Sequence, residues 1–98
     1  MEHEEILKAA IEKWGVPHQL NKLKEELAEL IVAVSHWEQR RIAIGDVVVE
    51  LVDVTIMLGQ LGAILSKDTQ AGTKEYIDNL FTMEMEEKFK RLENKIKQ

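Results

Sequence analysis

The stretch VVVELVDVTIML, Val47 to Leu58, constrains the fold most, because it is almost wholly apolar yet carries two carboxylates, Glu50 and Asp53. Its β-branched residues favour a strand by propensity, but the apolar run continues to about Ser66, which is long for a strand. A strand would also place Glu50 and Asp53 on opposite faces of a sheet, whereas a helix places them one turn apart on the same side. We therefore predict a helix over 47–66.

Three further helices are predicted from apolar residues that recur at three- and four-residue steps, and they cover about 3–13, 17–40 and 74–97. The segments WGVP, RRIAIGD and SKDTQAGT separate the four helices, with Pro17 in a first helical turn and Asp46 as an N-cap. The predicted apolar faces are Leu20, Leu23, Leu27, Leu30, Ile31 and Val34 on the second helix, and Leu80, Phe81, Met85, Phe89, Leu92 and Ile96 on the last. The predicted fold is all-α, a single domain over 1–98 built as a bundle of about four helices.

The composition excludes several classes of partner and site. With a net charge of -5 and a pI near 5.2, the chain lacks the basic face that binding to a nucleic-acid polymer requires. It has no cysteine, so it forms neither a disulfide nor a thiolate metal site. The start, MEHEEILKAA, is acidic and lacks the basic and apolar regions of a secretory signal, so we expect a cytoplasmic protein.

The apolar third helix needs a partner that covers it. Val47 to Leu65 is nearly long enough to span a bilayer, but an acidic residue near the centre of such a helix costs about 2.5–3.5 kcal/mol on insertion. Because Glu50 and Asp53 lie within this stretch, we predict no membrane span. A chain of 98 residues buries a modest fraction of its surface, so we expect homo-oligomerisation instead.

The second helix carries a matching set of acids. KEELAEL places Glu25, Glu26 and Glu29 within about one turn. Glu26 and Glu29 repeat the three-residue spacing of Glu50 and Asp53, so two antiparallel helices would offer two carboxylates each. Oxygen-only ligands favour a hard divalent cation such as Mg²⁺ over zinc or iron. The alternatives are a solvated face for the first motif and basic partners from another segment for the second.

These motifs resemble the signature of the MazG-like, all-α nucleoside triphosphate pyrophosphohydrolases, which is Glu-Glu-x-x-Glu, a spacer and then Glu-x-x-Asp. The chain has EELAE at Glu25–Glu29 and ELVD at Glu50–Asp53. WGVPHQLNKLKEELAEL is similar to the family's lead-in and EEKFKRLENKI to its closing helix, so the resemblance extends from Trp14 to about Ile96. It implies hydrolysis of a ribo- or deoxynucleoside triphosphate to the monophosphate and pyrophosphate.

The resemblance also implies roles for the acids and a mode of assembly. Mg²⁺, with Mn²⁺ as the alternative ion, is expected on the two acid pairs, which are Glu26, Glu29, Glu50 and Asp53. Glu25 or Glu29 is expected to orient or deprotonate the attacking water. Members of the family form dimers or dimers of dimers, so a homodimer or homotetramer is expected here.

Two further groups of residues are candidates for substrate binding. Lys88, Arg91 and Lys95 form one basic stripe on the last helix, which suits phosphate oxygens, and a solvated face paired with nearby glutamates is the alternative. The candidates for contact with the base are aromatic, imidazole and amide side chains: Trp14, Trp37, His18 and Gln19. The alternative for the tryptophans is core packing, and for the histidine a surface position.

Three functions stay open at this point. The first is the Mg²⁺-dependent pyrophosphohydrolase, which requires the acids to share one cleft. The second is a non-catalytic helical dimerisation module, in which Glu50 and Asp53 pair with lysines and bind no metal. The third is a nucleotide sensor that binds metal and ligand without turnover. The complete set of four acids favours the enzyme.

Overall fold

The computed structural model describes residues 1–67 and 74–98, and every regular element in those ranges is an α-helix. The helices are α1 (His3–Trp14), α2 (Val16–Glu38), α3 (Ile44–Lys67) and α4 (Lys74–Ile96). The prediction of an all-α chain with four helices is confirmed, including a helix and not a strand over Val47 to Leu58. Most of the predicted loop SKDTQAGT lies outside the described residues. The chain divides into two units, Met1–Ile64 and Leu65–Gln98.

Gly15 separates α1 from α2 because its backbone is not helical and adopts a conformation that residues with a side chain rarely adopt. Its φ of 86° lies in the left-handed region. Its N–H donates to the carbonyl oxygen of Ile11 at 2.8 Å and so caps the end of α1. Pro17 follows in the first turn of α2, where a backbone donor has no partner within the helix. The predicted break at WGVP is confirmed.

A Schellman motif ends α2. The N–H of Arg41 donates to the carbonyl oxygen of His36 at 2.8 Å, and the N–H of Arg40 donates to that of Trp37 at 2.9 Å. Arg40 has a φ of 59°, which is the left-handed conformation that glycine usually supplies at this position. The chain therefore ends α2 with some backbone strain at Arg40.

The start of α3 differs from the sequence prediction. The helix begins at Ile44, so Asp46 lies inside the first turn and is not the N-cap. The Oδ2 atom of Asp46 accepts the N–H of Ala43 at 3.2 Å, as the acidic residue of a capping box does. The predicted N-cap was wrong because this carboxylate caps the helix from within its first turn.

The core of the Met1–Ile64 unit lies where α1, α2 and α3 meet. Its buried apolar side chains are Ile11, Leu23, Ala33, Val54 and Met57. Gly59 allows α1 to approach α3 closely, because a Cβ at this position would lie 2.9 Å from Leu7 Cδ1. These contacts hold α3 against its two predecessors and fix which of its faces turns inward.

The inner face of α2 is not the face that its apolar pattern predicts. The buried residues of α2 are Gln19, Leu23, Glu26 and Ala33. Three members of the predicted apolar face are instead exposed: Leu27, Ile31 and Val34. The prediction was wrong for these three because α1 and α3 cover the side of α2 that carries two polar residues.

On α3 the polar side chains face inward and many apolar ones face outward. Glu50 and Asp53 are half-buried and Gln60 is buried. The outer face consists of exposed aliphatic residues, namely Val48, Val49, Leu51, Val52, Ile56 and Leu58. By length and composition alone, α3 is long and apolar enough to cross a membrane, with a mean hydropathy of 1.8. Core helices of soluble proteins can have the same length and composition.

In the Leu65–Gln98 unit, α4 has no buried residue. Its predicted apolar stripe is exposed throughout: Leu80, Phe81, Met85, Phe89, Leu92 and Ile96. Lys74 pairs with Asp78 at 4.0 Å within α4, and Lys97, just after the helix, pairs with Glu93 at 3.2 Å. The apolar side of α4 is therefore exposed in the part of the chain that the structure describes.

Candidate metal centre

Three glutamates from two helices meet within the Met1–Ile64 unit, and of these Glu26 is buried, Glu50 is half-buried and Glu29 is exposed. Glu26 and Glu29 come from α2, and Glu50 comes from α3. One carboxylate oxygen of each residue lies within 4.8 Å of those of the other two. We call these three residues the carboxylate cluster. Because Gln19 contacts Gln60 while Glu26 lies near Glu50, α2 and α3 run antiparallel, as the sequence predicts.

Two carboxylate oxygens of the cluster are buried and accept no hydrogen bond from any residue that the structure describes. Glu26 is 7% exposed, and its Oε2 atom is the first of these two oxygens. The Oε2 atom of Glu50 is likewise buried and unpartnered. Leaving a buried polar atom unsatisfied costs about 1–3 kcal/mol, and more when the group is charged. A proton or a cation at this place would remove that cost.

Repulsion within the cluster raises the pKa of Glu29. The charge of Glu26 is the largest cause, followed by a hydrogen bond that protonated Glu29 donates to Glu26, and Glu50 acts in the same direction. A proton on Glu29 relieves the repulsion only in part, because it neutralises one carboxylate of three. A divalent cation between them would neutralise more of the charge at once.

Lys22 is a cation that already touches the cluster. It lies one turn before Glu26 on α2, and its Nζ atom is 3.2 Å from Glu26 Oε1. The hydrogen bond to Glu26 and the charge of Glu26 raise the pKa of Lys22, so its ammonium group stays protonated. This contact satisfies one oxygen of Glu26 but leaves the unpartnered oxygens of Glu26 and Glu50 as they are.

The ligand set of the cluster suits a hard divalent cation. Oxygens bound to one Mg²⁺ or Ca²⁺ ion lie at most about 4–5 Å apart, and the cluster oxygens fall within 4.8 Å of one another. All three ligands are carboxylates, and among the described residues no histidine joins the group, which disfavours zinc. Three carboxylates also leave coordination positions on Mg²⁺ for water and phosphate oxygens.

The structure brings together three of the four predicted metal ligands. Asp53 lies one turn after Glu50 on the inner face of α3 and is half-buried, but it is not among the carboxylates that meet within 4.8 Å. Glu25 is exposed and also lies outside the cluster. Of the two residues predicted to activate water, Glu29 is therefore the one that belongs to the cluster.

A groove of about 400 Å³ opens beside the cluster and shares Glu29 and Glu50 with it. His36 and Asp46 are the other polar residues of its lining. Its apolar lining consists of Ala28, Val32, Ala33 and Ile42. The volume falls within the range of small-molecule sites, about 300–1,000 Å³. A ligand held at the cluster would therefore lie next to an apolar wall.

The predicted base-binding residues fall into two groups along α2. Near its start, the His18 imidazole donates from Nδ1 to Gln19 Oε1 at 2.7 Å, and the Trp14 ring stacks on His18 with the centroids 6.2 Å apart. Gln19 donates through Nε2 to Gln60 Oε1 at 2.6 Å. Trp37 lies near the other end of α2, roughly 30 Å away at the rise of an α-helix. One chain therefore does not bring the two tryptophans together.

The basic stripe predicted for phosphate binding lies on the other unit. Lys88, Arg91 and Lys95 are exposed on α4, within Leu65–Gln98. Their i, i+3 and i+7 spacing places them along one side of the helix. Their contact with phosphate stays a prediction.

Sequence reasoning missed Gln60, which is buried and bonded to Gln19 across the α2–α3 interface. The spacing of the two glutamines from the acids could have predicted this contact. Gln19 precedes Glu26 by two helical turns, and Gln60 follows Asp53 by two turns, so each glutamine shares a face with an acid. If the acidic faces of the two helices pack together, the two glutamines further along the same faces are expected to contact each other. The contact between Lys22 and Glu26 was missed as well.

No family model, curated protein or solved structure matches the chain. The geometry of the carboxylate cluster and the spacing of its two motifs therefore carry the functional inference.

Proposed function

We propose that the chain is a metal-dependent nucleoside triphosphate pyrophosphohydrolase that releases pyrophosphate and a nucleoside monophosphate. The single observation that carries the proposal is the carboxylate cluster, with its two buried and unpartnered oxygens. The spacing of EELAE and ELVD, which resembles that of MazG-like enzymes, supports the choice of substrate. The proposed metal ligands are Glu26, Glu29 and Glu50, with Asp53 as the fourth.

Mg²⁺ is the proposed ion and Mn²⁺ its alternative, because both accept oxygen-only ligands. When bound, the ion would neutralise phosphate charge and lower the pKa of a coordinated water. Glu29 is the proposed acceptor of the proton from the attacking water, since it lies in the cluster beside the proposed ion. Glu25, one turn earlier on the same side of α2, is the alternative acceptor.

The remaining substrate contacts are assigned by charge and shape. Lys88, Arg91 and Lys95 are proposed to contact phosphate oxygens, from the same chain or from a second copy. The nucleoside is proposed to lie at one of two places: the end of α2, with Trp37, or the start of α2, with Trp14, His18 and Gln19. Because the chain has two tryptophans, nucleotide binding can report its own location.

We further propose a cytoplasmic homodimer or homotetramer that binds neither a nucleic-acid polymer nor a membrane. The exposed outer face of α3 and the exposed stripe of α4 support self-association, because apolar patches of this extent usually mark interaction surfaces. The net charge of -5 opposes contact with anionic polymers, and the acids of α3 oppose insertion into a bilayer.

A non-catalytic dimerisation module is the second candidate function, because the same exposed apolar faces are all that such a module requires. A nucleotide sensor is a third, which would bind metal and ligand without turnover. The dimerisation module would bind neither metal nor nucleotide, the sensor would bind both, and neither would release pyrophosphate.

The deciding experiment is pyrophosphate release from a panel of ribo- and deoxynucleoside triphosphates, with Mg²⁺ and with chelator. Glu50→Gln keeps the shape of the side chain and should abolish release, because it removes a charge from the cluster. Glu5→Gln makes the same chemical change on an exposed position of α1 and should leave release unchanged. Full release by Glu50→Gln would show that the proposed ligand set is wrong.

Fluorescence then locates the nucleoside. In Trp14→Phe the remaining emission comes from Trp37, and in Trp37→Phe it comes from Trp14. A nucleotide that quenches only Trp37 lies near the end of α2, and one that quenches only Trp14 lies near its start. No release together with no metal binding would leave the dimerisation module as the better account, whereas binding without release would favour the sensor.

A further inference from the structure

The ion pair between Lys22 and Glu26 joins an exposed cation to a buried anion. The side chain of Lys22 is 47% exposed, whereas that of Glu26 is 9% exposed. In the other ion pairs among the described residues, such as Glu4 with Lys8, both partners are largely exposed. The ammonium group can therefore leave for solvent by rotation of its own side chain, while the carboxylate stays in the α2–α3 interface.

The order of the two residues means that the pair adds little to the stability of the helix itself. A lysine placed four residues before a glutamate is the less favourable order on an α-helix, because it opposes the helix dipole. What the order does provide is a positive charge at the edge of the carboxylate cluster. Glu25 and Glu29 add to the field that Lys22 experiences, so the cation serves more than one carboxylate.

A divalent ion at the cluster and the ammonium of Lys22 would act on the same carboxylate. The two cations repel each other, and both are attracted to the negative charge of Glu26. In the metal-free protein the ammonium offsets part of the repulsion among three carboxylates. With metal bound, that compensation is no longer needed.

We propose that Lys22 is the resident counter-cation of the carboxylate cluster, which stabilises the metal-free protein and competes with the divalent ion for Glu26. The inference rests on the metal site of the proposed function. Lys22 is thus a residue that tunes metal affinity downward while it keeps the empty cluster folded.

The test compares Lys22→Met with Lys24→Met in the full chain. Methionine keeps the length of lysine and its helix propensity but carries no charge, and Lys24 is exposed on the opposite side of α2. Without metal, the unfolding midpoint of Lys22→Met should fall by about 3–6 °C, and that of Lys24→Met should stay within about 1 °C. Lys22→Arg, which keeps the charge, should restore the midpoint.

The second readout is metal affinity, measured by calorimetry with Mg²⁺ and by electron paramagnetic resonance with Mn²⁺. Lys22→Met should bind each ion about three- to tenfold more tightly than the unchanged protein. Lys24→Met should differ by less than about twofold at about 0.15 M salt, because screening weakens distant charges. Unchanged or weaker binding by Lys22→Met would overturn the competition, since a residue that only orients Glu26 gives weaker binding when it is lost.

The two readouts keep this inference distinct from the proposed function. If the unchanged protein binds neither ion, the metal site and the competition both fail, while the metal-free midpoints still show whether Lys22 compensates the cluster. If the ions bind and the midpoint of Lys22→Met does not fall, the counter-cation role is refuted and the metal site stands.

Discussion

The hydrogen bond between Gln19 and Gln60 allows a sharp test of what the inner faces of α2 and α3 do. The two side chains are 4% and 5% exposed, and Gln19 Nε2 donates to Gln60 Oε1 at 2.6 Å. Replacing either residue by leucine leaves the other amide buried without its partner, which costs about 1–3 kcal/mol. For a chain of this size, that loss lowers the unfolding midpoint by about 4–20 °C.

The double variant Gln19→Leu with Gln60→Leu should recover most of the loss. Two apolar side chains of similar shape leave no unsatisfied amide between the helices, so replacement of both partners is nearly neutral. A double-mutant cycle from urea denaturation should give a coupling free energy close to the sum of the two single losses, about 2 kcal/mol or more. Gln39→Leu, at an exposed position beyond the end of α2, should change stability by less than about 0.5 kcal/mol.

Additive losses in the double variant would refute this reasoning, because they would show that the two amides do not depend on each other. A functional measurement on the same variants then separates two roles for Gln19. If the double variant is stable and still binds nucleotide, the glutamine pair only fixes the register of α2 against α3. If it is stable and no longer binds nucleotide, Gln19 contacts the ligand, as the sequence predicts.

Three further predictions concern titration and backbone conformation. Because the charge of Glu26 raises the pKa of Glu29 above its usual 4.5, the folded metal-free protein binds this proton more tightly than the unfolded chain does, and stability should fall as pH rises through the raised value. Thermal unfolding across this range should give a flatter profile for Glu29→Gln, and an equally steep profile would contradict the assignment. Gly62→Ala should stabilise the chain by about 0.5–1 kcal/mol, since a Cβ there would meet no atom of the described residues within 4 Å, and a loss of stability measured by urea denaturation would contradict this reasoning. Arg40→Gly should raise the unfolding midpoint by removing left-handed strain at the end of α2, Arg41→Gly should not, and equal effects would argue against the Schellman assignment.

The sequence was sufficient to predict helices because local rules decide them. The signals used were local: apolar residues at helical spacing, one break at glycine and proline, and the long apolar run after Asp46. Together they predicted the four helices to within a few residues of their observed bounds. The start of α3 was the exception. A capping carboxylate acts from either side of the first turn, and residue type alone does not distinguish those positions.

The inner face of α2 could not be predicted from hydrophobicity. An apolar count favours Leu27, Ile31 and Val34, whereas the observed inner face contains Gln19 and Glu26. Which face turns inward depends on what the neighbouring helices offer, and α3 offers a glutamine and an acid. A polar residue pairs well with a polar partner across an interface, and that information is spread over two segments of the chain.

The polarity of α3 accounts for the two acids in VVVELVDVTIML. Glu50 and Asp53 lie on the side that α2 covers, and the aliphatic residues of the outer face lie on the side that α1 and α2 leave open. This partly reverses the usual amphipathic arrangement, because acids share the inner face with the apolar residues Val54 and Met57 while other aliphatic residues face outward. A chain gains by this arrangement only if the half-buried acids bind a ligand and another surface covers the exposed aliphatic residues. The proposed metal site and the proposed self-association are therefore linked through one helix, because α3 presents ligands on one side and an interaction surface on the other.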